Sequence, residues 1–203
     1  MPMTKRVVLC GLFFLTVLEF WPVCPQEDFM AAGARAENPS SLQEARLFLR
    51  AQLHEALEAP EKPEQLVRYI HSQFSEVPDA YPAVILAYYG TCRGLQAKFS
   101  GHPRRKLAGL VDCLTYLDQA VQREDADLEV FFLRYSSLHH LPPLLGVPKK
   151  RVEDIEKICV LLSRRDYSVV DRDFQAVIVD FMLDSRRLNP RQRGDLQRLR
   201  SDM

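Results

Sequence analysis

Apolar residues recur along most of the chain at steps of three and four, the spacing of one face of an α-helix. After residue 41, almost no stretch alternates between apolar and polar residues as a half-buried strand would. Prolines and glycines divide this pattern into seven or eight segments, each of which we predict to be a helix. The predicted apolar stripes begin at Leu42, Leu66, Val84, Leu107, Leu128, Val152, Val170 and Leu196.

The connections between these segments are short, and their length predicts how the helices pack. Pro60 and Pro63 separate the first two helices, and Gly101 and Pro103 separate the third from the fourth. A connection of a few residues forces the two helices that it joins to lie antiparallel. We therefore predict one all-α domain over residues 37–203. Its antiparallel helical hairpins either stack as a solenoid or close into a compact bundle.

The middle of the chain contains one two-helix pattern that is typical of a repeat. A Leu-Asp-Gln-Ala-Val run at residues 117–121 is followed by Glu-Asp, and Phe131 and Leu138 place large apolar residues on the next helix. This stretch resembles the junction between two tetratricopeptide repeats, although Tyr135 stands where that family has a small residue. The resemblance implies a divergent tetratricopeptide-like solenoid, a class of protein that recognises partners on its surface.

The first 36 residues are typical of a targeting signal. Lys5 and Arg6 precede an apolar run over residues 7–23 that ends in proline-containing sequence. This run is short for a membrane anchor, which needs about 20 apolar residues. We expect residues 1–36 to be an export signal, with an uncleaved signal anchor as the alternative. The protein would then be periplasmic or attached to the cell envelope if its host is bacterial.

The charge of the chain is balanced overall but uneven locally. The sequence has 27 Lys+Arg and 27 Asp+Glu, whereas nucleic-acid-binding proteins normally carry a basic excess, so we expect no nucleic-acid partner. Three cations at residues 104–106 stand in the first turn of a predicted helix, where an anion would relieve their conflict with the helix dipole. Residues 186–200 carry six arginines and one aspartate, which favours contact with anionic lipid or an acidic partner. The candidate residues are Arg104, Arg105, Lys106, Arg191 and Arg193.

The sequence has no pattern that is typical of an enzyme. It lacks a glycine-rich phosphate loop, a Gly-x-Ser-x-Gly turn and a Cys-x-x-Cys pair, and its histidines lack the i, i+4 spacing of a zinc helix. We therefore expect no catalytic residue, metal site or cofactor. The apolar, proline-rich connection at residues 141–148 is the place for a site if the protein is instead a small enzyme or a ligand-processing protein.

Cys92 and Cys113 form a candidate disulfide. They lie equally far from the turn at residues 101–103, on opposite arms of a predicted hairpin. An oxidising export compartment could join them, and the alternative is that both are small buried apolar residues.

Four further residues form a candidate groove for a partner or ligand, because aromatic and arginine side chains are frequent at interaction hot spots. Tyr135, like Tyr88 on the third helix, lies on the apolar stripe of its helix and could instead pack in the core. The pattern as a whole predicts a non-enzymatic exported scaffold or binding module for an envelope protein or a small ligand. Contact with a membrane would use the N-terminal segment or the basic C-terminal helix. The groove residues are Tyr89, Arg93, Arg134 and Tyr135.

Overall fold

The computed structural model describes residues 42–139, 141 and 147–203, and within these ranges every regular element is helical. A single 3₁₀ turn, Pro78–Ala80, lies between the second and third α-helices. The all-α prediction is thus confirmed. In chain order the helices are α1 (Leu42–Ala56), α2 (Lys62–Gln73), α3 (Ala83–Phe99), α4 (Pro103–Arg123), α5 (Leu128–His139), α6 (Val147–Ser163), α7 (Arg172–Asp184) and α8 (Pro190–Ser201).

Two predicted features lie wholly or largely outside the described residues. One is the export signal at residues 1–36. The other is most of the proline-rich connection at residues 141–148, in which residues 142–146 are not described. The helices that the structure describes include none that is long and apolar enough to cross a membrane.

Local sequence explains where several helices begin and end. Prolines stand in the first turns of α2, α4 and α8, where their missing N–H would have no partner in any case. Asn189 begins α8 with a capping box, in which its side chain accepts from the backbone N–H of Gln192. Arg165 lies just after α6 and has a φ angle of 52°. Arg186 lies just after α7 and has a φ angle of 56°. These left-handed conformations, which glycine usually adopts, turn the chain away from each helix.

Most consecutive helices pack against each other, with α6 and α7 as the exception, and odd-numbered helices also meet one another. The interface between α3 and α4 is the most extensive, followed by that between α5 and α6. In addition α1 contacts α3, and α3 contacts α5. Helix α5 meets α7 through aromatic rings, since Phe132 lies 5.9 Å from Phe174 and 5.4 Å from Phe181 between ring centroids. Contacts of this kind are expected when helical hairpins stack side by side.

Glycine allows α3 and α4 to approach closely. A Cβ atom at Gly109 would lie 2.9 Å from Ala97 Cβ and 3.0 Å from the carbonyl oxygen of Arg93. One at Gly94 would lie 2.8 Å from Cys113 Sγ. Glycine therefore lets the backbones of the two helices meet at Gly109, and at Gly94 it makes room for the Cys113 side chain.

The buried residues form two hydrophobic cores that share α5. The first core lies mainly among α1–α4, and the second mainly among α6–α8. On α5, Val130 and Leu133 belong to the first core, whereas Phe131 and Tyr135 belong to the second. Helix α5 therefore joins the two parts of the molecule.

Candidate functional site

A fully buried carboxylate, Glu129, lies in the first turn of α5 at 0% exposure. Its two oxygens accept hydrogen bonds from Arg50 on α1, from Nε at 3.0 Å and from Nη2 at 2.9 Å. Tyr88 on α3 donates its hydroxyl to the same carboxylate, and Arg46 Nε lies 3.3 Å from it. Such two-pronged pairing is the arrangement that compensates a buried carboxylate.

Both arginines of this cluster also bind a second carboxylate at the start of a helix. Arg50 Nη1 donates to Asp171 Oδ2 at 2.6 Å, and Arg46 forms an ion pair with Asp127. Asp171 caps α7, and Asp127 accepts from the first backbone N–H groups of α5. We call Arg46, Arg50, Tyr88, Asp127, Glu129 and Asp171 the buried ion network, in which Asp171, 54% exposed, forms the outer edge. It fastens α1, α3, α5 and α7 together.

Two members of the network, Arg50 and Tyr88, have pKa values above their ordinary ranges. Burial by itself would lower the pKa of Arg50, but the hydrogen bond and charge of Glu129 outweigh it and raise that pKa above its ordinary value. Burial and the adjacent Glu129 charge raise the pKa of Tyr88 well above its usual range. Arg50 also stacks over the ring of Phe174, with 4.1 Å between the guanidinium carbon and the ring centroid. Both groups therefore stay protonated at neutral pH.

A cleft, here called cleft A, opens beside this network with a volume of about 330 Å³. It lies among the chain before α5, the end of α6 and the loop into α7. Asp127 belongs both to the network and to the wall of the cleft. The other charged groups in the wall are Glu124, Arg164 and Asp166, and its apolar groups include Leu128 and Val170.

Two carboxylates of cleft A are only partly engaged. Glu124 accepts a hydrogen bond from the backbone N–H of Ala126 at 3.1 Å. Asp166 Oδ1 accepts from the N–H of Ser168 at 2.9 Å and from its hydroxyl at 2.6 Å. These bonds from Ser168 lower the pKa of Asp166, so it stays ionised. Within the described part of the chain, neither Glu124 nor Asp166 has a salt-bridge partner. Each thus retains an oxygen for an incoming donor.

Gln175 adds a third acceptor to the wall of cleft A, although it is only 1% exposed. Its Nε2 donates to the carbonyl oxygens of Asp166 at 2.5 Å and Val170 at 2.9 Å, which fixes the orientation of the amide. Its Oε1 has no hydrogen-bond partner among the described residues. A buried carbonyl oxygen without a donor is costly, so this atom would gain from a donor brought by a ligand.

Two other clefts carry the opposite balance of charge. Cleft B, of about 630 Å³, lies between α6 and α8, and Arg165, Arg191 and Arg198 in its wall outnumber two acids. Cleft C, of about 450 Å³, lies beside the α3–α4 turn, and Arg93 and Arg105 outnumber one acid there. Cleft A, with three acids and one arginine, is the most acidic of the three.

The predicted groove residues occupy different environments. Arg93 lines cleft C, where its Nη2 donates to Asp112 at 2.8 Å. Tyr89 and Tyr135 are buried, the latter at 0% exposure. Arg134 is also buried, and it donates to Asp154 with its Nη2 at 2.5 Å from Oδ1.

Asp154 is the second buried carboxylate beside α5, and its environment resembles that of Glu129. Its side chain is 0% exposed, and Arg134 also binds Asp118. Burial raises the pKa of Asp154 to about 6, against the lowering effect of Arg134. This carboxyl group therefore gains a proton more readily than an exposed aspartate does.

The predicted basic residues are distributed over several surfaces. Arg104, Arg105 and Lys106 stand in the first turn of α4, and they form no salt bridge within the described ranges. Arg191 is exposed at the edge of cleft B. Arg193 instead donates to the carbonyl oxygen of Leu183 at 2.9 Å, near the end of α7.

The two cysteines of the candidate disulfide lie at the α3–α4 interface, and both thiols are free in the structure. Burial raises the pKa of Cys92 and of Cys113 to about 12 each. Both thiols are therefore protonated, and unreactive, at neutral pH. Their pairing in an oxidising compartment stays a prediction.

No protein-family model, curated protein or solved structure matches this chain. Across the residues that the structure describes, no three His, Cys, Asp or Glu side chains are grouped so that they could hold a metal ion.

Proposed function

We propose that the protein is an exported, non-enzymatic binding module that recognises a protein partner of the cell envelope through cleft A. The stacked hairpins supply a rigid support, as they do in helical solenoids that bind through their surfaces. Export is supported by the signal-like sequence of residues 1–36.

The observation that carries this proposal is the position of cleft A beside the buried ion network. Asp127 lies in the cleft wall, and its ion pair with Arg46 ties that wall to α1. Asp171, bound by Arg50, fixes the start of α7 next to the cleft. A surface that is held rigid before binding loses less conformational entropy when a partner docks.

The chemistry of the wall also favours recognition. Glu124 and Asp166 keep free acceptor capacity, whereas the carboxylates of the network are occupied by arginines. Val169, at the rim, is 48% exposed and offers apolar contact area beside these acids. Apolar area with a few oriented polar groups is the usual composition of a recognition site.

Photo-cross-linking in the native host tests the proposal. A benzophenone amino acid would replace Val169 at cleft A, and in a matched control it would replace Val152, which is 56% exposed on α6. We expect a discrete protein adduct from position 169 and none from position 152. No adduct from position 169, or the same adducts from both positions, would contradict the proposal.

Export is tested separately by cell fractionation and N-terminal sequencing. We expect the protein in the envelope fraction, with a mature N-terminus near Glu37 or a retained signal anchor. Recovery in the cytosol alone, with residues 1–36 intact, would show that the export part of the proposal is wrong.

A further inference from the structure

We infer that cleft A binds a basic side chain, a lysine or arginine presented by the protein partner. This inference rests on the proposed function and names the chemical group that the cleft recognises. The charges, the free acceptors and the apolar wall of the cleft support it.

The charges of the wall favour a cation. Cleft A carries Glu124, Asp127 and Asp166 against Arg164, and because Arg46 already pairs with Asp127, the attraction for a cation comes from Glu124 and Asp166. Clefts B and C each have one more arginine than acids in their walls. A cationic group is therefore attracted to cleft A in preference to the other two, because close opposite charges select the partner.

The free acceptors favour a ligand that donates hydrogen bonds. Glu124 and Asp166 each keep an oxygen that no described residue engages, and Gln175 Oε1 is buried without a donor. These three groups belong to one wall, since the Gln175 amide is itself bound to the backbone of Asp166. An ammonium or guanidinium group has several donors and no acceptor, which matches this set.

The start of α5 does not oppose a cation here. A helix N-terminus ordinarily carries partial positive charge. Asp127 offsets it, because its side chain accepts from the backbone N–H groups of Glu129 at 2.9 Å and Val130 at 3.3 Å. The nearby positive charge of Arg46 is buried and directed at the same aspartate.

The apolar part of the wall suits the methylene stem of a long basic side chain. Leu128, Leu161 and Val170 line the cleft next to the acids. Lysine and arginine side chains commonly lay their stems on apolar surface while the charged end reaches polar groups. A volume of about 330 Å³ is at the small end for ligand sites, which fits one side chain rather than a large cofactor.

Nuclear magnetic resonance with short peptides tests this inference on the protein recovered after export. The probes are acetyl-Ala-Lys-Ala-amide and the same peptide with norleucine, which keeps the stem and lacks the ammonium group. We expect saturable shifts of the backbone amides at residues 124–128 and 164–170 with the lysine peptide. The norleucine peptide should bind about fivefold more weakly, the upper end of the loss expected for one exposed charge contact.

Charge-neutral variants provide the second arm. Glu124→Gln and Asp166→Asn should each weaken lysine-peptide binding about twofold to fivefold. Glu76→Gln, an exposed carboxylate in the loop after α2, is the matched control and should change nothing. Unchanged thermal midpoints would establish that the variants are folded. Glu124 and Asp166 lie on different loops, so misfolding of one variant leaves the other as a test.

Four results would overturn the inference. They are equal binding of the two peptides, shifts confined to other surfaces, the same shifts with calcium chloride alone, and wild-type affinity in both cleft variants. Failure of the proposed function would look different. If position 169 still cross-links a partner in the Glu124→Gln/Asp166→Asn double variant, the basic-group inference fails while the binding module stands. Lysine binding without any cross-link would contradict the proposed function alone.

Discussion

The α3–α4 interface and the surroundings of α5 are held together in different ways. Between α3 and α4, Gly109 allows backbone contact and Gly94 makes room for the Cys113 side chain, and the ion pair Arg93–Asp112 lies partly exposed at the edge. Around α5, two fully buried carboxylates, Glu129 and Asp154, are held by arginines. The stability of the α3–α4 interface therefore depends on side-chain volume, and that of the surroundings of α5 depends on the pairing of charges.

This difference determines which substitutions matter in each region. A buried ion pair adds little stability over an apolar pair of the same shape, but removing one partner leaves an uncompensated charge. A close backbone contact is insensitive to charge and intolerant of an added methyl group. Changes of both kinds, made on the same molecule, can test the comparison.

The largest effect is expected from Glu129→Ala. This change leaves Arg46 and Arg50 buried without their shared carboxylate and deprives the Tyr88 hydroxyl of its acceptor. We expect the free energy of unfolding to fall by about 3–5 kcal/mol, measured by urea denaturation. Glu76→Ala, at an exposed position, is the control and should cost less than about 0.5 kcal/mol. A loss below about 1 kcal/mol at Glu129 would contradict the charge-dependent description of α5.

The next largest effect is expected in the pH dependence of stability, and it arises from the titration of Asp154. Its pKa in the folded protein is about 6, above the value of 3.8 for an unperturbed aspartate. The folded protein therefore binds a proton between pH 4 and 6 that the unfolded chain does not. The stability contributed by this group is fully present below pH 4 and is lost as the pH rises through 6.

Asp154→Asn removes this titration. The difference in unfolding free energy between wild type and variant should vary by up to about 3 kcal/mol across that window, in the stated direction. Urea titrations from pH 4 to pH 7.5 would measure it, with the exposed Asp184→Asn as the matched control. A constant difference across the pH range would show that Asp154 titrates normally.

The smallest of the three effects should follow Gly109→Ala. The new Cβ would meet Ala97 Cβ at 2.9 Å and the Arg93 carbonyl oxygen at 3.0 Å, so α3 and α4 must separate. We expect a loss of about 1–3 kcal/mol in thermal or urea unfolding. Gly101→Ala is the control, since a Cβ there meets nothing within 4 Å. Equal stability of the two variants would mean that the backbone contact is not needed.

Much of the fold could be predicted from the sequence. The prolines at 63, 103 and 190 stand in first turns of helices, and the apolar stripes end near the observed helix ends. The burial of Glu129 could not be predicted, because an acid in a helix's first turn is normally solvated and suits the dipole. Arg46 and Arg50 gave a weak indication of a buried acidic partner. They are four residues apart on α1 and lie on either side of the buried Leu49.

The candidate site was less accessible to sequence analysis than the fold. Cleft A combines Glu124, Asp166 and Gln175, which lie on separate segments and share no motif. Gln175 is a polar residue on a helix, and only the three-dimensional structure shows that its amide is buried with a free oxygen. The sequence did place Arg93 and Arg105 on neighbouring helices, and the structure brings both to cleft C.

The buried ion network also bears on how this chain could change over evolution. Repeat arrays ordinarily gain and lose hairpins freely, because each unit touches only its neighbours. Here the Arg50–Asp171 pair joins the first hairpin to the last, and Arg50–Glu129 joins the first to the third. Duplication or deletion of an internal hairpin would separate these charges. Among the described hairpins, such a change would therefore need compensating substitutions at Arg50, Glu129 or Asp171.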